Sequence, residues 1–407
     1  GIPSKFGGRV SSVLDVAQQT GDFEEYKVNG GIGIISSRLL VQGPIQKEKS
    51  SFILSGRASY AHLFMKLADN NNSAMFYDLN AKINHRFNAN NTLSFSGYFG
   101  NDLFDINDRF ASTYGSTMGI LSWKHKFSDR LNSNLSGFYS DYRFNLEIPI
   151  ESFKWDSNIQ SYGLKYNWNY QQSEKFKINY GIDGLYYDFN PGIVQPTSSD
   201  SPYNYKQLDK KHALEASTFI DFENQITDKL NFRYGLRYSM FYRLGPEVIS
   251  TYENNQAVVY NPLYKIYEEG TPTGSISYGS DKTISKFNNL EPRLALSYAF
   301  NDNTSVKASY NRMAQYIHIL SNTQSPLPMS IWTPSGPFTK PQLLDQYALG
   351  YFRNFKDGDY SLETELFYKN VQNRIDYIDG ADVLANNNIE QVILNGKARS
   401  YGMELLF

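Results

Sequence analysis

The sequence predicts an all-β chain, and within that class a transmembrane antiparallel β-barrel, from three observations. Apolar residues recur with period 2 along segments of about 10 to 14 residues, short polar turns alternate with long loops, and tyrosine and phenylalanine are abundant.

The alternation is clearest in KLNFRYGLRYSMFY, residues 229–242. Leu230, Phe232, Tyr234, Leu236, Tyr238, Met240 and Tyr242 fall on one face, and Asn231, Arg233, Gly235, Arg237 and Ser239 on the other. A pleated strand with one apolar and one wet side has this pattern. NTLSFSGYF, RLNSNLSGFYS, KFKINYGIDGLYY, PRLALSYAF, TSVKASYNR and YSLETELFYK follow it too. In the last, Tyr360, Leu362, Leu366 and Tyr368 line one side, and Glu363, Glu365 and Lys369 the other. Strands of soluble domains commonly run about five or six residues, whereas a tilted strand takes about nine to eleven to cross a bilayer. The segments here fit the second length.

The connections supply the order. Tight polar turns fall at 43–50, 88–91, 128–130, 172–175, 227–229, 301–303 and 356–359. Longer loops rich in Pro, Gly, Asn, Asp and Tyr run through 103–112, 145–157, 189–211, 243–289, 315–341 and 372–398. A meander with its short turns at one end and its long loops at the other is the arrangement of outer-membrane barrels, with periplasmic turns and extracellular loops. The count is about fifteen strands after residue 25. Bacterial single-chain barrels are even-numbered, so either one strand is missed or the wall is incomplete.

The 32 Tyr, 27 Phe and 4 Trp make up 15% of the 407 residues. A tyrosine has an apolar ring and a wet hydroxyl, so an excess suits surfaces where hydrocarbon meets water. Phe87, Phe127, Phe300 and Phe355 each precede a short turn, as an interfacial girdle would. No apolar run is long enough for a membrane helix. The net charge of −2 advertises no nucleic-acid face. Without cysteine there is no disulfide and no thiolate metal site.

A membrane sheet exposes no edge to lipid, and its inner face tolerates charge only when water or protein fills it. Arg233, Arg237, Asp183, Arg293, Lys307, Glu363 and Glu365 are therefore expected to face the lumen, solvated or paired with material inside it. The five histidines, His62, His85, His125, His212 and His318, are scattered, with no HExxH, no GxSxG and no phosphate-cradling loop. No catalytic residue, metal ligand or cofactor is expected. Binding is the better expectation, since the loops carry Tyr203, Tyr205, Tyr252, Tyr260, Tyr264, Tyr267, Trp332 and Phe338 among polar residues, a composition suited to adaptable recognition. Packing of these rings against one another is the plain alternative for each.

The stretches PSKFGGRVSSVLDV, NGGIGIISSRLLVQGPI and KSSFILSGRASYAHLF, with IWTPSGPFTKPQLLDQYALGYFRNF and NRIDYIDGADVLANNNIEQVILNGKARSYGMELL downstream, resemble the TonB-dependent outer-membrane receptors of the Bacteroidetes type. The resemblance covers essentially the whole chain and implies a boundary near residue 25: residues 1–25 as the end of a plug domain and its link, residues 26–407 as barrel. In that family the plug sits inside a barrel of about 22 strands. Gly7, Gly8 and Arg9 would then mark the plug–barrel junction and residues 10–17 the plug's last strand. For the glycines, a turn with positive φ is the simpler reading.

The family pattern places a signal peptide, a TonB-contacting segment and most of the plug before residue 1, and about seven more strands after residue 407. The ending YGMELLF, with Tyr401, Met403, Leu405 and Phe407 alternating, also has the form in which barrel proteins terminate.

The function expected is TonB-dependent uptake of a scarce solute, an iron complex, glycan or peptide, across the outer membrane of a Gram-negative bacterium. Implied partners are the TonB–ExbB–ExbD complex, outer-membrane lipid and a surface lipoprotein. Substrate contacts are expected at Trp332, Tyr203, Tyr205, Tyr264 and Phe338. Counting residues 10–19 as a strand gives about sixteen and a passive porin instead; a soluble secreted lectin-like protein is disfavoured by strand length and loop order.

Overall fold

The computed structural model describes residues 2–67, 72–106, 109–321, 330–381, 383 and 386–407. β1 (Lys27–Ile32), β2 (Ser36–Gln46) and β3 (Ser50–Ser59) are followed by helix α1 (Ala61–Leu67). Then come β4 (Ser73–Asn88), β5 (Asn91–Ile106), β6 (Phe110–Lys126), β7 (Leu131–Ile148), β8 (Phe153–Ser173) and β9 (Phe176–Pro196). A two-residue strand, β10 (Lys206–Gln207), precedes β11 (Lys211–Gln225) and β12 (Leu230–Leu244). Four short strands, β13 (Glu247–Tyr252), β14 (Val258–Asn261), β15 (Ile266–Glu269) and β16 (Pro272–Tyr278), lead to β17 (Thr283–Asn301) and β18 (Thr304–Gln315). The hairpin β19 (Ile317–Ser321) and β20 (Ser330–Pro334) precedes β21 (Gln342–Phe355), β22 (Tyr360–Tyr377) and β23 (Ile393–Leu406).

One sheet of seventeen strands takes in all but the short ribbons β13–β16, β14–β15 and β19–β20. Setting aside the two-residue β10 leaves sixteen, paired antiparallel in chain order from β1 to β23. Among the described residues no ladder joins β1 to β23. All seven expected short turns are found where the polar residues predict them. The strand those turns do not reveal is β1, whose sequence KVNGGI lacks alternation and which is joined to β2 by only three residues at the long-loop end.

Outward positions are apolar and exposed: Ile83 lies beside Phe95, Phe95 beside Leu121, and Ile220 beside Leu236. Along β12, Leu236 and Tyr238 are exposed while Arg237, Ser239, Phe241 and Arg243 are buried, so the polar face points into the molecule. At the short-turn end, Phe87 and Phe127 set their rings edge-on to His85 and His125, 4.5 and 4.3 Å between centroids. His125 also contacts Asn91 Oδ1 at 2.7 Å. The repeated His-x-Phe before a turn thus joins a polar ring and an apolar ring at one strand end.

Three expectations need correction. The long strands reach 21 residues, and much of the loops expected at 103–112 and 145–157 is strand. Positions 107–108, 322–329, 382 and 384–385 of the expected loops lie outside the described residues. The reason for the extra length is a second core beyond the apolar belt. Phe144, Leu146, Ile148, Phe153, Trp155 and Val194, at the far ends of β7, β8 and β9, bury themselves against Leu208, Leu320, Ile331, Val383, Ile389 and Val392 from three connections. Second, residues 10–17 form no strand; where one was expected, the Val10 N–H donates to the side chain of Gln315 at 3.1 Å. Third, α1 occupies a connection for which no helix was foreseen. No helix among the described residues is long and apolar enough to cross a membrane.

Candidate functional site

The inner face of β9, β11, β12, β17 and β18 is layered along the strands. Nearest the long loops is the apolar core just described. Below it, Tyr187, Phe189, Ala213, Phe241, Ala314, Tyr316 and Ile317 form a plate in which the Phe241 and Tyr316 rings stack at 4.8 Å, with Trp332 packed on it. Below the plate lies a cluster of charges. Below that, toward the short turns, is a cavity of about 390 Å³ lined by Lys177, Glu223, Arg233, Lys307 and Glu365 among others.

The charged layer follows from strand register. Inward positions place Arg237 beside Glu291 and Ser217 beside Asp183. Arg237 meets Asp183 at 2.9 Å and also donates to Ser217; the Arg237 and Asp183 side chains are each only 3% exposed. Arg293 meets Glu291 at 3.2 Å, Ser239 donates to Glu291 at 2.7 Å, and Arg233 meets Asp221 at 2.7 Å. A buried charge is tolerable only when paired and hydrogen-bonded, and each of these is.

Residues 2–10 run through this layer and complete it. The N–H of Ile2 donates to Asn311 Oδ1 at 3.2 Å and that of Ser4 to Asp221 at 3.0 Å. Arg293 donates to the carbonyl of Pro3, and Arg237 to those of Ser4 and Lys5 at 3.5 and 3.4 Å. The wall contributes four buried carboxylates, Asp183, Glu215, Asp221 and Glu291, against Arg233, Arg237 and Arg293. Glu215 faces the inner segment at Gly8, and the neighbouring Arg9 is exposed.

Gly7 and Gly8 serve different ends. Gly8 has φ +77 and sits against the Glu215 carboxylate, so the positive-φ reading applies to it alone. At Gly7 a Cβ would fall 2.3 Å from Nε of Arg237, so the side chain is absent for space. Arg9 turns back to donate to the carbonyl of Gly8 at 2.7 Å.

The expected lumenal charges fall in two groups. Arg237, Asp183 and Arg293 join the charged layer; Arg233 bridges that layer and the cavity, which Lys307 and Glu365 line. Glu363 is exposed and lines neither. The loop aromatics are not gathered. Trp332 packs on the plate, Tyr203 lies 4.8 Å from Phe153 and donates to Glu151, and Phe338 stands edge-on to Tyr252. Tyr205 and Tyr264 are exposed, at 61% and 68%. Sequence reasoning missed Glu215, Asp221, Glu291, Asn311, Gln315 and Tyr316. Their signal was a polar residue on the inward phase of an alternating segment. Beside the plate, His318 is buried between Ser335 Oγ at 2.9 Å and Gln342 at 3.3 Å, and burial lowers its pKa to about 4. Among the described residues no group of His, Asp and Glu is placed to hold a metal ion.

A family model described as TonB dependent receptor-like, beta-barrel, matches residues 55–407. Among solved structures, the chain is similar to a double mutant of the Serratia marcescens hemophore receptor HasR in complex with its hemophore HasA and heme, at 14% identity, over 96% of this chain and 61% of that one, TM-score 0.63. It is also similar to the ferric yersiniabactin uptake receptor FyuA of Yersinia pestis, at 14% identity, over 95% and 58%, TM-score 0.63. A third is the alcaligin outer-membrane receptor FauA of Bordetella pertussis, at 13% identity, over 94% and 58%, TM-score 0.59. At such identities the likeness is one of fold. The chain spans about three fifths of the length of these structures. No curated protein sequence matches it significantly.

Proposed function

From the premise that this chain belongs to the TonB dependent receptor-like β-barrel family, we propose that it is the wall and inner latch of a receptor for active uptake of a scarce solute. Its place is the outer membrane of a Gram-negative bacterium, and the family is one of receptors rather than enzymes. In this reading residues 1–25 are the end of a plug and its link to the barrel, and the TonB–ExbB–ExbD complex acts on an upstream segment. A surface lipoprotein is a further partner, and outer-membrane lipid surrounds the apolar belt. The solute is an iron complex, a glycan or a peptide, met first at the loops that carry Tyr203, Tyr205, Tyr264, Trp332 and Phe338.

The observation that carries the reading is the seating of residues 2–10 among buried charges beneath an aromatic plate. A passive channel needs an open water path, whereas here passage on this side of the wall requires the segment to leave partners that are buried and paired. Each hydrogen bond from the segment to a charged partner is worth about 1.5–3 kcal/mol, and several must be given up together, so an energy source is in keeping with the arrangement.

The test compares solute uptake in cells with the gene intact, deleted, or intact but with the proton gradient dissipated. Loss of uptake in both of the latter supports the reading. Steady ion conductance of the purified protein in planar bilayers, with residues 2–10 still seated, would overturn it in favour of a porin.

A further inference from the structure

Neither the hairpin β19–β20 nor residues 2–10 belongs to the wall, yet both are tied to the same two residues. β18 closes at Gln315 and β19 opens at Ile317, so the chain passes from wall to hairpin at Tyr316. The hairpin is docked along its length. Leu320 and Ile331 enter the apolar core nearest the long loops, and Ile317 and Trp332 join the aromatic plate. Its returning end is held at the root, where the Ser335 N–H donates to the Tyr316 carbonyl at 2.7 Å.

Gln315 serves hairpin and inner segment with one amide. Its Oε1 accepts from the Val10 N–H at 3.1 Å, and its Nε2 donates to the carbonyl of Ile317 at 2.9 Å. Tyr316 reaches the other end of the segment through a chain of hydrogen bonds whose direction follows from counting protons. Ser239 has one hydroxyl proton and gives it to Glu291 at 2.7 Å. At 2.6 Å the Tyr316 hydroxyl is therefore the donor to Ser239, and its oxygen accepts from Asn289 at 2.8 Å. Glu291 pairs with Arg293, which donates to the carbonyl of Pro3. In a buried chain of this kind each bond polarises the next. Tyr316 is fully buried with its ring stacked on Phe241, so the packing that roots the hairpin also fixes its hydroxyl. Moving that root takes the donor from Ser239 and the acceptor from Asn289 together.

We propose that Gln315 and Tyr316 are positioning residues that couple the hairpin to the inner segment. The hairpin docked and residues 2–10 seated form one state; the hairpin lifted and the segment released favour one another. Lifting the hairpin from outside then loosens the latch. The coupling rests on the uptake reading for its role and deepens it by naming what regulates release.

The test is amide hydrogen exchange on the purified protein in detergent, run in both directions. Leu320→Asp/Ile331→Asp puts two carboxylates into the apolar core and lifts the hairpin. Exchange in residues 2–10, with the Ser4 N–H held by Asp221 as reporter, should become about 5- to 150-fold faster, the usual span of such couplings. In the reverse arm, deleting residues 2–10 should speed exchange in β19 and β20 by the same factor, because linkage is reciprocal. In a Gln315→Leu/Tyr316→Phe background both accelerations should shrink to within about twofold, as for independent sites. Heat-modifiable migration shows that each variant is folded, and the reverse arm leaves the apolar core intact, so it stands if the aspartate pair does not fold. Undiminished acceleration in the Gln315→Leu/Tyr316→Phe background would mean that the hairpin only screens the segment from water, and would overturn the proposal. Unequal factors in the two arms, or no acceleration in either, would overturn it as well. Gradient-dependent uptake by a protein without the coupling removes the coupling alone; coupling in a protein that conducts ions steadily removes the uptake reading alone.

Discussion

Replacing Gly7 by alanine tests how the inner segment is held, because the outcome is set by one side chain on the facing wall. A Cβ at position 7 would lie 2.3 Å from Nε and 2.8 Å from Cζ of Arg237. Arg237 has little room to yield, since it is bonded to Asp183, Ser217 and the carbonyls of Ser4 and Lys5. Overpacking costs about 1–3 kcal/mol, and displacing a paired guanidinium puts this case at the upper end, on the order of a hundredfold in the unseated population. Trypsin cleavage after Lys5 and Arg9 in the folded protein reads that population directly. In an Arg237→Ala background the obstacle is gone. Arg237→Ala alone loosens the segment by about 3–5 kcal/mol by leaving the buried Asp183 without its cation. Adding Gly7→Ala there should then change cleavage by less than about 0.5 kcal/mol, a coupling in the range seen for residues in contact. Equal acceleration by Gly7→Ala in both backgrounds would refute the reasoning and assign the glycine a backbone role. Gly7 is not among the glycines with positive φ, so its own conformation does not demand one.

Three other outcomes follow from the same geometry. Leu236→Arg, on the exposed apolar face, should impair assembly by about 2–4 kcal/mol, read as loss of heat-modifiable migration. Burial holds His318 neutral, with a pKa of about 4 against an ordinary 6.5. The unfolded hairpin therefore binds more protons between these values; its docking is fully stable above pH 6.5 and weakens as pH falls toward 4, by about 3 kcal/mol. Hydrogen exchange in β19 and β20 should show this, and His318→Gln should remove the pH dependence. Trp332→Ala, which empties a place on the aromatic plate, should cost about 3 kcal/mol in denaturant unfolding, while Tyr264→Ala at an exposed tip should cost nothing measurable.

The wall was legible because alternation and turn chemistry are local. Residues 229–242 declare both faces of β12 by themselves, and polar triplets such as Thr227–Lys229 mark where each strand returns. β1 was not legible, because Gly30 and Gly31 interrupt the alternation and its partner is specified only by position. The latch was legible in part. Arg237, Arg293 and Asp183 stood out as charges on a phase that faces inward, yet nothing local says that Glu215 sits against Gly8 more than 200 residues away, or that Arg237 needs a glycine opposite. The loop aromatics illustrate the limit from the other side. Composition cannot separate Trp332, which packs inward, from Tyr264, which does not, because the difference lies in which connection folds over which.

The shared core at the far ends of β7, β8 and β9 limits which parts of the connections can be exchanged. Leu208, Leu320 and Val383 come from different connections but fill one space, so exchanging a connection wholesale for another would open a gap beneath its neighbours. Freedom to vary is therefore confined to the projecting tips, such as those bearing Tyr205 and Tyr264, while the ground they stand on stays constant.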